Sequence, residues 1–548
     1  MAVARSVANG MALAALAVVC AGAASCSRYE FANPPPYIGP VQAPAAGQVP
    51  APFEAAAPGE GQPAAPPTVP PTVPPTGPVA VTVTDSVLMA LANNQALVVQ
   101  RYATPIKRTS EQTQWAVFDP DLTATAEHGR AKSLRALGSA FSVSQTDSLD
   151  VGLSQFFPTG TTVSLDGSVQ GVGPGDEFYT TRLGLSVTQA LLRGYGPDVN
   201  LANVREARVD TLSTEYELRG FAESLVAQVE ETYWNYVLAQ RNIEIFNQSL
   251  KLAEQQLAET NERIKVGKLA GIERAAAEAE VALRREALIN ARSTLDKTRL
   301  QFLRLLNPAA PDFWTRDVTA QTPPVVPEIK LEDVASHVQV ALRMRPDLNQ
   351  ARLQVQRGDL EIVKTRNGLL PRLDLFMTLG KSGYSGTFGR SVEHMDEDAY
   401  DLLVGVTFEY PPINRAAKAA DQRARLTRRQ SYEAVGNLAQ LVQVDVRSAY
   451  LEVTRSKEQM AATAVTRKLQ EEKVRAETEK FRVGNSTPLL VAQAQRDLLQ
   501  SQIGEVQAVV NYLNAMVEFY RLEGSLLQRR GIAAPGQDPV ELPPERLP

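Results

Sequence analysis

The stretch KFRVGNSTPLLVAQ, residues 480–493, interrupts a segment that otherwise has the composition of one very long helix. The stretch RIKVGKLAGIERAA, residues 263–276, does the same 217 residues earlier, and both stretches contain Val-Gly. Glycine adopts the left-handed backbone that ends a helix at low cost, while Thr487 and Pro488 suit the start of the next helix. The sequence therefore predicts two sharp reversals between long helices, at Val266-Gly267 and Val483-Gly484.

These reversals belong to a duplicated chain. Residues Tyr233, Glu262, Ala275, Phe302 and Leu305 recur, at a constant offset of 217, as Tyr450, Glu479, Ala492, Phe519 and Leu522. Residues Ala90, Leu97, Pro120 and Leu122 recur, at an offset of 251, as Ala341, Leu348, Pro371 and Leu373. A unit of roughly 220 residues is much longer than a solenoid repeat, so the pattern indicates a tandem duplication. We divide the body into a first repeat over residues 81–320 and a second over 321–530.

Each repeat has the same predicted order of elements. A helix over 84–117 or 331–368 precedes the strands, and a long helix over 198–264 or 415–481 follows them. Each long helix would extend for about 100 Å, which exceeds the width of a globular core. Apolar residues repeat every seven positions in the first long helix, as in a coiled coil. These residues are Tyr236, Ile243, Leu250, Leu257 and Ile264, with a similar stripe of Leu438, Leu441, Val442, Val446, Ala449 and Val453 in the second helix.

The N-terminus has the features of an export signal. Arg5 precedes an apolar run from Met11 to about residue 22, and the run is followed by small residues. Residues 1–25 are predicted to be removed, and Ala23-Ala24-Ser25-Cys26 resembles the box in which a bacterial lipoprotein cysteine is lipidated. Ordinary cleavage near Ala21-Gly22-Ala23 is the alternative. Residues 26–80 are dominated by Pro and Ala, which favours an extended tether, and residues 531–548 are predicted to be a disordered tail.

The strand regions alternate between apolar and polar residues. RLDLFMTL at 372–379 and DLLVGVTFEY at 401–410 place apolar side chains on one face, and residues 183–188 do the same. Alternation of this kind fits either a half-buried soluble sheet or a membrane barrel with an apolar outer side. The export signal and the strand length of about ten residues favour the membrane interpretation.

Composition excludes several classes of function. The net charge of -5 argues against a general nucleic-acid binder, and the two cysteines, Cys20 and Cys26, exclude a disulfide framework in the body. The three histidines, His128, His337 and His394, lie in different predicted elements without the spacing of metal ligands. We therefore predict no catalytic residue, no metal and no cofactor, and the chain is not expected to be an enzyme.

Several motifs carry a family resemblance. They are LSVTQALLRGYGPDVNLANVREAR at 185–208, ALRMRPDLNQARLQVQ at 341–356, LLPRLDL at 369–375 and EKFRVGNSTPLLVAQAQRDLL at 479–499. In this order, and on a duplicated chain, they resemble the TolC-like outer-membrane efflux family over roughly residues 81–526.

The resemblance implies a homotrimer. Its strands would combine into one transmembrane β-barrel in the outer membrane, and its coiled-coil helical hairpins would form an α-helical barrel that extends into the periplasm. Four strands per protomer would leave unpaired edges in lipid, so closure would require association. The resemblance further implies a passive exit duct in a tripartite efflux pump or a type I secretion system. Its partners would be a periplasmic adaptor, an inner-membrane transporter and outer-membrane lipid, without nucleic acid.

The resemblance also assigns roles to the two reversals. Val266, Gly267, Val483, Gly484 and Thr487 are predicted to form the tips that dock the adaptor. The acidic residues that often narrow the tunnel mouth in this family are replaced in the second repeat by Leu490 and Gln493, whereas Glu273 is a candidate aperture residue in the first repeat.

Two alternatives stay open in the sequence. FFPTGTTVSLDGSV at 156–169 has the pattern of an additional strand-turn-strand, either a barrel hairpin or a surface insertion, so the strand count is undetermined. The competing class of function is a structural or adhesive coiled-coil envelope lipoprotein without a conduit. Such a stalk needs neither strands with an apolar outer face nor two matched hairpins.

Overall fold

A computed structural model of the chain describes residues 38–40, 78–134, 141–173, 178–307, 312–326 and 331–543. The export signal over 1–25, Cys26 and nearly all of the Pro/Ala-rich tether lie outside these residues. The assignments of cleavage, lipidation and tether therefore stay predictions.

The described helices alternate with strands in both halves of the chain. The helices are α1 (Val83–Asn93), α2 (Gln95–Arg101), α3 (Ala103–Trp115), α4 (Pro197–Asn200), α5 (Ala202–Lys265), α6 (Glu273–Leu306), α7 (Val334–Met344), α8 (Pro346–Asn367), α9 (Phe388–Glu393), α10 (Arg415–Arg482), α11 (Pro488–Glu523) and α12 (Leu526–Arg529). The strands are β1 (Gly39–Pro40), β2 (Val79–Val81), β3 (Asp121–Leu134), β4 (Phe141–Phe157), β5 (Thr161–Gly173), β6 (Phe178–Ala190), β7 (Val318–Ala320), β8 (Arg372–Ser385), β9 (Tyr400–Glu409) and β10 (Ile532–Ala533).

Two long helical hairpins dominate the molecule. Helix α5 has 64 residues and pairs with α6, while α10 has 68 residues and pairs with α11. At 1.5 Å per residue, α5 and α10 are each about 100 Å long. The prediction of two long helices, each followed by a reversal, is confirmed. The predicted stripe of α5 is buried or half-buried, whereas Leu441 of the predicted α10 stripe is exposed.

The duplication detected in the sequence reappears as a repeated packing contact. Tyr233 meets Phe302 edge-on, with ring centroids 5.8 Å apart and planes at 70°. Their matched residues, Tyr450 and Phe519, meet at 6.2 Å and 64°. Equivalent residues therefore hold the two helices of each hairpin together in the same way, and edge-to-face pairs of this kind stabilise a core beyond the area that they bury.

One large hydrophobic core joins both halves. It contains buried side chains of α1, α5, α6, α7, α10, α11 and α12, together with residues of the short strands. Strand β1 pairs antiparallel with β10, and β2 pairs parallel with β7, so each short pair joins segments that are distant in the chain.

The helices before the strands are broken, so the predictions of single helices over 84–117 and 331–368 were wrong. Asn94 separates α1 from α2, because its side chain accepts hydrogen bonds from the backbone N–H groups of Ala96 and Leu97. In the second half, Pro346 opens α8 and keeps Arg345 in an extended conformation. Apolar periodicity continues across both breaks, whereas the cap residue and the proline mark them.

The prediction of a disordered tail over 531–548 was wrong for residues 531–543. Strand β10 lies in this segment, the Asp538 carbonyl accepts from the Tyr216 hydroxyl, and the Val540 N–H donates to Asn349 Oδ1. These bonds hold the segment against the central helices. The last residues, 544–548, lie outside the described part of the chain.

A single antiparallel sheet contains the long strands, in the order β3-β4-β5-β6-β8-β9. The stretch at 156–169 forms the end of β4, a tight turn and most of β5, with 13 register pairs between the two strands. The sheet therefore has six strands, two more than the four that were expected without this additional strand-turn-strand. The first repeat contributes four strands, and the second repeat contributes two.

Arg219 of α5 forms a buried ion pair within its helix and also holds the C-terminal segment against the helix. Arg219 is 2% exposed, and its Nε lies 3.1 Å from Glu223 Oε1. Its two terminal nitrogens donate to the carbonyl oxygens of Gly536 and Gly524 at 2.7 and 3.0 Å. Burial raises the pKa of Glu223 to about 7, against the smaller opposing effect of Arg219.

We predict that Arg219→Met lowers the free energy of unfolding by about 3 kcal/mol, because it leaves Glu223 buried without its partner. The carboxyl pKa rises further without the guanidinium. A carboxyl with a raised folded pKa loses its contribution to stability as pH rises through that pKa, so the loss should be larger at pH 8 than at pH 5. Thermal unfolding in detergent micelles at both pH values measures this.

The matched control is Arg241→Met, which removes an exposed ion pair with Glu244 on the same helix and should change stability by less than about 1 kcal/mol. Equal melting temperatures for Arg219→Met and Arg241→Met would contradict the proposed fastening.

Candidate functional site

The two predicted reversals end their helices with the same backbone geometry. Gly267 has φ +74° and Gly484 has φ +81°, both in the left-handed region. The Lys268 N–H donates to the Arg263 carbonyl at 2.8 Å, and the Asn485 N–H donates to the Lys480 carbonyl at 2.8 Å. These bonds span the last helical turn and satisfy carbonyl groups that would otherwise lack partners. The Val-Gly pairs are therefore helix-terminating turns, as predicted.

The space around both glycines is open. A Cβ atom built on Gly267 or Gly484 would have no atom within 4 Å, so the backbone conformation alone selects glycine here. Val266 and Val483 are exposed beside them. In the second turn, Pro488 begins α11, and Thr487 caps it by accepting a hydrogen bond from Leu490 N–H at 3.4 Å.

A contact between the two turns was not predicted from the sequence. The guanidinium of Arg263, at the end of α5, lies 4.2 Å from the ring centroid of Phe481, at the end of α10. Phe481 is 4% exposed, and its carbonyl accepts from Arg263 Nη1 at 3.4 Å. A cation over an aromatic face is attracted by the ring electrons. The position matching Arg263 in the second repeat is Lys480, so the repeat pattern carried no signal for this pair.

The residues discussed for the aperture lie just beyond the turns. Glu273 is half-buried in the first turn of α6, where the helix dipole favours a carboxylate. Leu490 and Gln493 are exposed in the first turns of α11. These three side chains and the Val-Gly turns thus occupy the same end of the long hairpins. Their assigned roles in docking and in the aperture stay predictions.

The other end of the hairpins holds the six-stranded sheet, and one face of the sheet is apolar. A single register row crosses all six strands through leucines: Leu122, Leu153, Leu165, Leu185, Leu379 and Leu402. Further apolar residues flank this row on the same face, among them Ala124, Ala126, Leu149, Val151, Val163, Val169, Leu183, Val187, Leu375, Met377, Val404, Val406 and Phe408. This pattern is typical of strands whose apolar face contacts lipid.

The opposite face is mostly polar or small, with Phe156, Phe376 and Leu403 among the large apolar exceptions. It carries Thr123, Thr125, Glu127, Ser148, Asp150, Ser154, Ser164, Asp166, Ser168, Arg182, Ser186, Thr188, Thr378 and Asp401. Arg182 reaches across β8, and its Nη2 lies 2.7 Å from Asp401 Oδ2. No Cβ could be added at Gly380 without shifting these side chains, because it would lie 2.2 Å from Asp401 Oδ1. The composition of this face is therefore typical of a surface that contacts water.

The turn between β4 and β5 is built into the base of the sheet. Gly160, at φ +87°, brings its backbone so close to Gly194 that an added Cβ would lie 2.3 Å from the Gly194 carbonyl oxygen. The Asn200 side chain donates to the carbonyls of Pro158 and Gly194 at 2.9 and 2.8 Å. The chain entering α4 and α5 thus holds this turn, which identifies the hairpin as part of the sheet rather than a loose surface insertion.

Within the described ranges, no helix combines the length and hydropathy needed to cross a bilayer. The described residues also contain no cluster of His, Cys, Asp or Glu side chains that could hold a metal ion. The histidines are separated: His128 pairs with Asp147 on the sheet, His337 with Glu523 in the core, and His394 with the Tyr384 carbonyl.

With two long hairpins and a sheet with one apolar face established, comparison with known proteins becomes informative. The sequence matches the outer membrane efflux protein profile over residues 175–307 and 337–525. The chain belongs to this family. Among curated proteins, no sequence matches it.

Solved structures have the same fold. CusC, described as undergoing conformational changes on folding and transmembrane channel formation, superposes with a TM-score of 0.62 at 16% identity, over 81% of this chain and 92% of that chain. The Campylobacter jejuni CmeC outer membrane channel gives 0.61 at 15% identity, over 81% and 86%. The open state of the Neisseria gonorrhoeae MtrE outer membrane channel gives 0.60 at 17%, over 81% and 89%.

The family assignment confirms the resemblance found in the sequence. The family identifies the chain as an outer membrane efflux protein rather than an enzyme. Its residues with assigned functions divide between two ends of hairpins about 100 Å long: the turns at one end and the sheet at the other.

We predict that Phe481→Ala loosens the first turn as well as the second. Arg263 would lose the ring on which it lies, so backbone hydrogen exchange over residues 264–272 should become roughly tenfold faster, equal to about 1.4 kcal/mol of local stability. Hydrogen–deuterium exchange with mass spectrometry measures this.

Phe388→Ala, which removes an exposed phenylalanine far along the chain in α9, should leave exchange at both turns unchanged. If the Phe481 variant alters only residues near 481, the two hairpin ends are independent and the assigned contact does not couple them.

Proposed function

We propose that this efflux protein is the outer-membrane exit duct of a tripartite efflux pump or a type I secretion system. In this proposal, three copies form one transmembrane β-barrel in the outer membrane and one α-helical barrel in the periplasm. A periplasmic adaptor links the helical tips to an inner-membrane transporter, which supplies the energy.

The observation that carries the proposal is the two-faced sheet on top of two long hairpins. Its leucine row and flanking apolar residues suit lipid, while its Ser, Thr and Asp face suits an aqueous lumen. A coiled-coil stalk without a conduit has no need for a sheet with these two faces. The sheet therefore favours a duct over the structural or adhesive alternative.

The trimer is supported by surfaces that one copy leaves uncovered. Among the described residues, β3 and β9 each have one edge without a partner strand in the sheet. An unpaired edge in hydrocarbon costs several kcal/mol for each backbone group. Helix α10 also presents exposed apolar residues along its length, namely Leu426, Leu441, Val444 and Leu451. Association of copies would cover both the edges and this stripe.

The adaptor is proposed to dock on the two turns, through Val266, Gly267, Val483, Gly484 and Thr487. Their exposed apolar residues and their position at the far ends of the hairpins support this assignment. Glu273, half-buried in the first turn of α6, is proposed to face the closed aperture.

We further propose that Cys26 is lipidated and anchors the chain in the outer membrane. Ile38 is buried in the central core, and the Arg101 guanidinium donates to its carbonyl at 3.2 Å. Eleven residues lie between Cys26 and Ile38, and this stretch of chain can span at most about 43 Å when fully extended. A lipid on Cys26 would thus be joined to the described residues by a short tether.

The first test is the assembly and its conductance. Full-length protein in mild detergent should have a mass of three protomers plus micelle, and after reconstitution it should form ion-conducting channels in a planar bilayer. A stable folded monomer without conductance would overturn the duct.

The second prediction concerns the docking turns. Gly484→Val places a branched side chain at φ +81°, which strains the turn without touching the barrel. We expect crosslinking to the adaptor and export to fall at least several-fold, while trimer formation and membrane insertion are retained. Site-specific crosslinking and an export assay in cells measure the two effects.

Gly271→Val is the matched control, because Gly271 lies at the first turn with open space around it and no positive φ. This variant should retain more crosslinking than Gly484→Val. Unchanged crosslinking and export in Gly484→Val would mean that the turns are not the docking surface.

A further inference from the structure

We infer that the free edges of β3 and β9 pair between copies, so that three six-stranded sheets close an 18-stranded barrel with a wide outer mouth for bulky hydrated cargo. This inference rests on the trimer of the proposed function. It goes further because it specifies which edges meet, in which register, and how wide the exit becomes.

Strand direction permits this closure. Each of the five contacts within the sheet is antiparallel, so direction alternates from β3 to β9. Because the number of strands per copy is even, β9 of one copy runs antiparallel to β3 of the next. An odd number would force a parallel contact at each junction.

The apolar residues that would contact the membrane form a band across the sheet, and this band specifies the register between copies. On β3 the band covers Leu122 to Ala126, whereas on β9 it covers Leu402 to Phe408. The leucine row links Leu122 to Leu402, so the band shifts along the strands as it crosses the sheet. A shift of this kind is expected when tilted strands pass through a level membrane.

The apolar residues of β3 and those of the neighbouring β9 must lie at the same depth in the membrane. This condition is met when Leu122 of one copy lies beside Phe408 of the next, and Ala124 beside Val406. Within one copy Leu122 is in the same row as Leu402, whereas between copies it pairs with Phe408. The register therefore shifts by six residues for every six strands, and this shift corresponds to a strand tilt of about 35°. That tilt is at the usual value for a barrel. The same register also aligns the ends of the strands, with Asp121 opposite Glu409.

The hairpin of β4 and β5 forms part of the wall of the proposed barrel. It supplies Leu153 and Leu165 to the leucine row, and it carries Asp150 and Asp166 on the polar face. Its turn is held by Asn200 at the base of the sheet. Removing the hairpin from the wall would break 14 register pairs with β3 and 12 with β6.

Barrel width follows from strand number. With a strand spacing of about 4.8 Å and a tilt of about 35°, 18 strands give a backbone diameter of about 34 Å, whereas 12 strands give about 23 Å. Inward-facing side chains on opposite sides of the barrel reduce its internal diameter by roughly 10 Å. Even with this narrowing, hydrated cargo of roughly 20 Å diameter would fit the barrel of 18 strands and not the barrel of 12 strands.

Disulfide trapping tests the junction. Ala124→Cys is combined with Val406→Cys, and with Val404→Cys and Phe408→Cys as the flanking registers. Oxidation should link neighbouring copies into a covalent trimer, most completely with Val406→Cys. Leu379→Cys with Leu402→Cys is the positive control, because these residues face each other on adjacent strands of one copy and should link within it.

A fourth pair, Ala124→Cys with Leu183→Cys, tests whether the hairpin leaves the wall. These residues share a row but lie three strands apart, about 14 Å, so they should not link. Two results, each obtained with protein that is trimeric by mass, would overturn the 18-stranded barrel and leave the proposed duct intact. One is the absence of a disulfide at the junction, and the other is a disulfide between Ala124→Cys and Leu183→Cys. A monomer by mass would instead overturn the duct itself.

Polymer exclusion tests the width. Polyethylene glycols of increasing size, added only to the outer side of a bilayer, lower the conductance when they enter the barrel. Deletion of residues 141–173 would leave β3 and β6 antiparallel and adjacent, so the limiting polymer radius should fall by at least about one third. An equal limit for the full chain and the deletion variant, with both trimeric, would contradict the wide barrel.

Discussion

A sheet that contacts hydrocarbon cannot leave a strand edge unpaired, because no water is present to satisfy the exposed N–H and C=O groups. This constraint organises the whole molecule. In the proposed duct, the leucine row places one face of the sheet against lipid, so the edges of β3 and β9 would require partner strands. In that proposed barrel, strands arranged around an axis would direct the attached helical hairpins along the same axis. The exposed stripe of α10 is the helical counterpart of the open strand edges.

The duplication is conserved in the helices and lost in the strands. Tyr233 with Phe302 and Tyr450 with Phe519 preserve the same contact in both hairpins, and both hairpins end in the same glycine turn. The strands are divided four to two between the repeats. Helical packing demands matched knobs and holes over a long interface, whereas a sheet accepts another hairpin wherever its edge residues and its two faces are compatible. The difference between the halves therefore lies where the physical constraint is weaker.

The sequence contained enough information for some elements and too little for others. Gly267 and Gly484 were predictable because a left-handed turn selects glycine, and the strands around Leu375 and Val404 were predictable from strict alternation. The first half of β4 was not, since its Ser, Asp and Gln residues resemble a loop. The pairing of Arg263 with Phe481 and the fastening of Arg219 to Gly536 join residues about 200 to 300 positions apart in the chain. Neither periodicity nor the repeat carries information about such contacts.

The pairing of β1 with β10 has a consequence for the order in which the molecule matures. Ile38 and Ile532 lie in the same core, so nearly 500 residues separate two segments that must meet. A chain that is still emerging from the ribosome or the export machinery lacks β10, so β1 has no partner strand. The central core can be completed only after the whole polypeptide has been released, so premature termination near the C-terminus would leave the earliest segment unpaired. Such a chain would be exposed to periplasmic proteases before it reached the membrane.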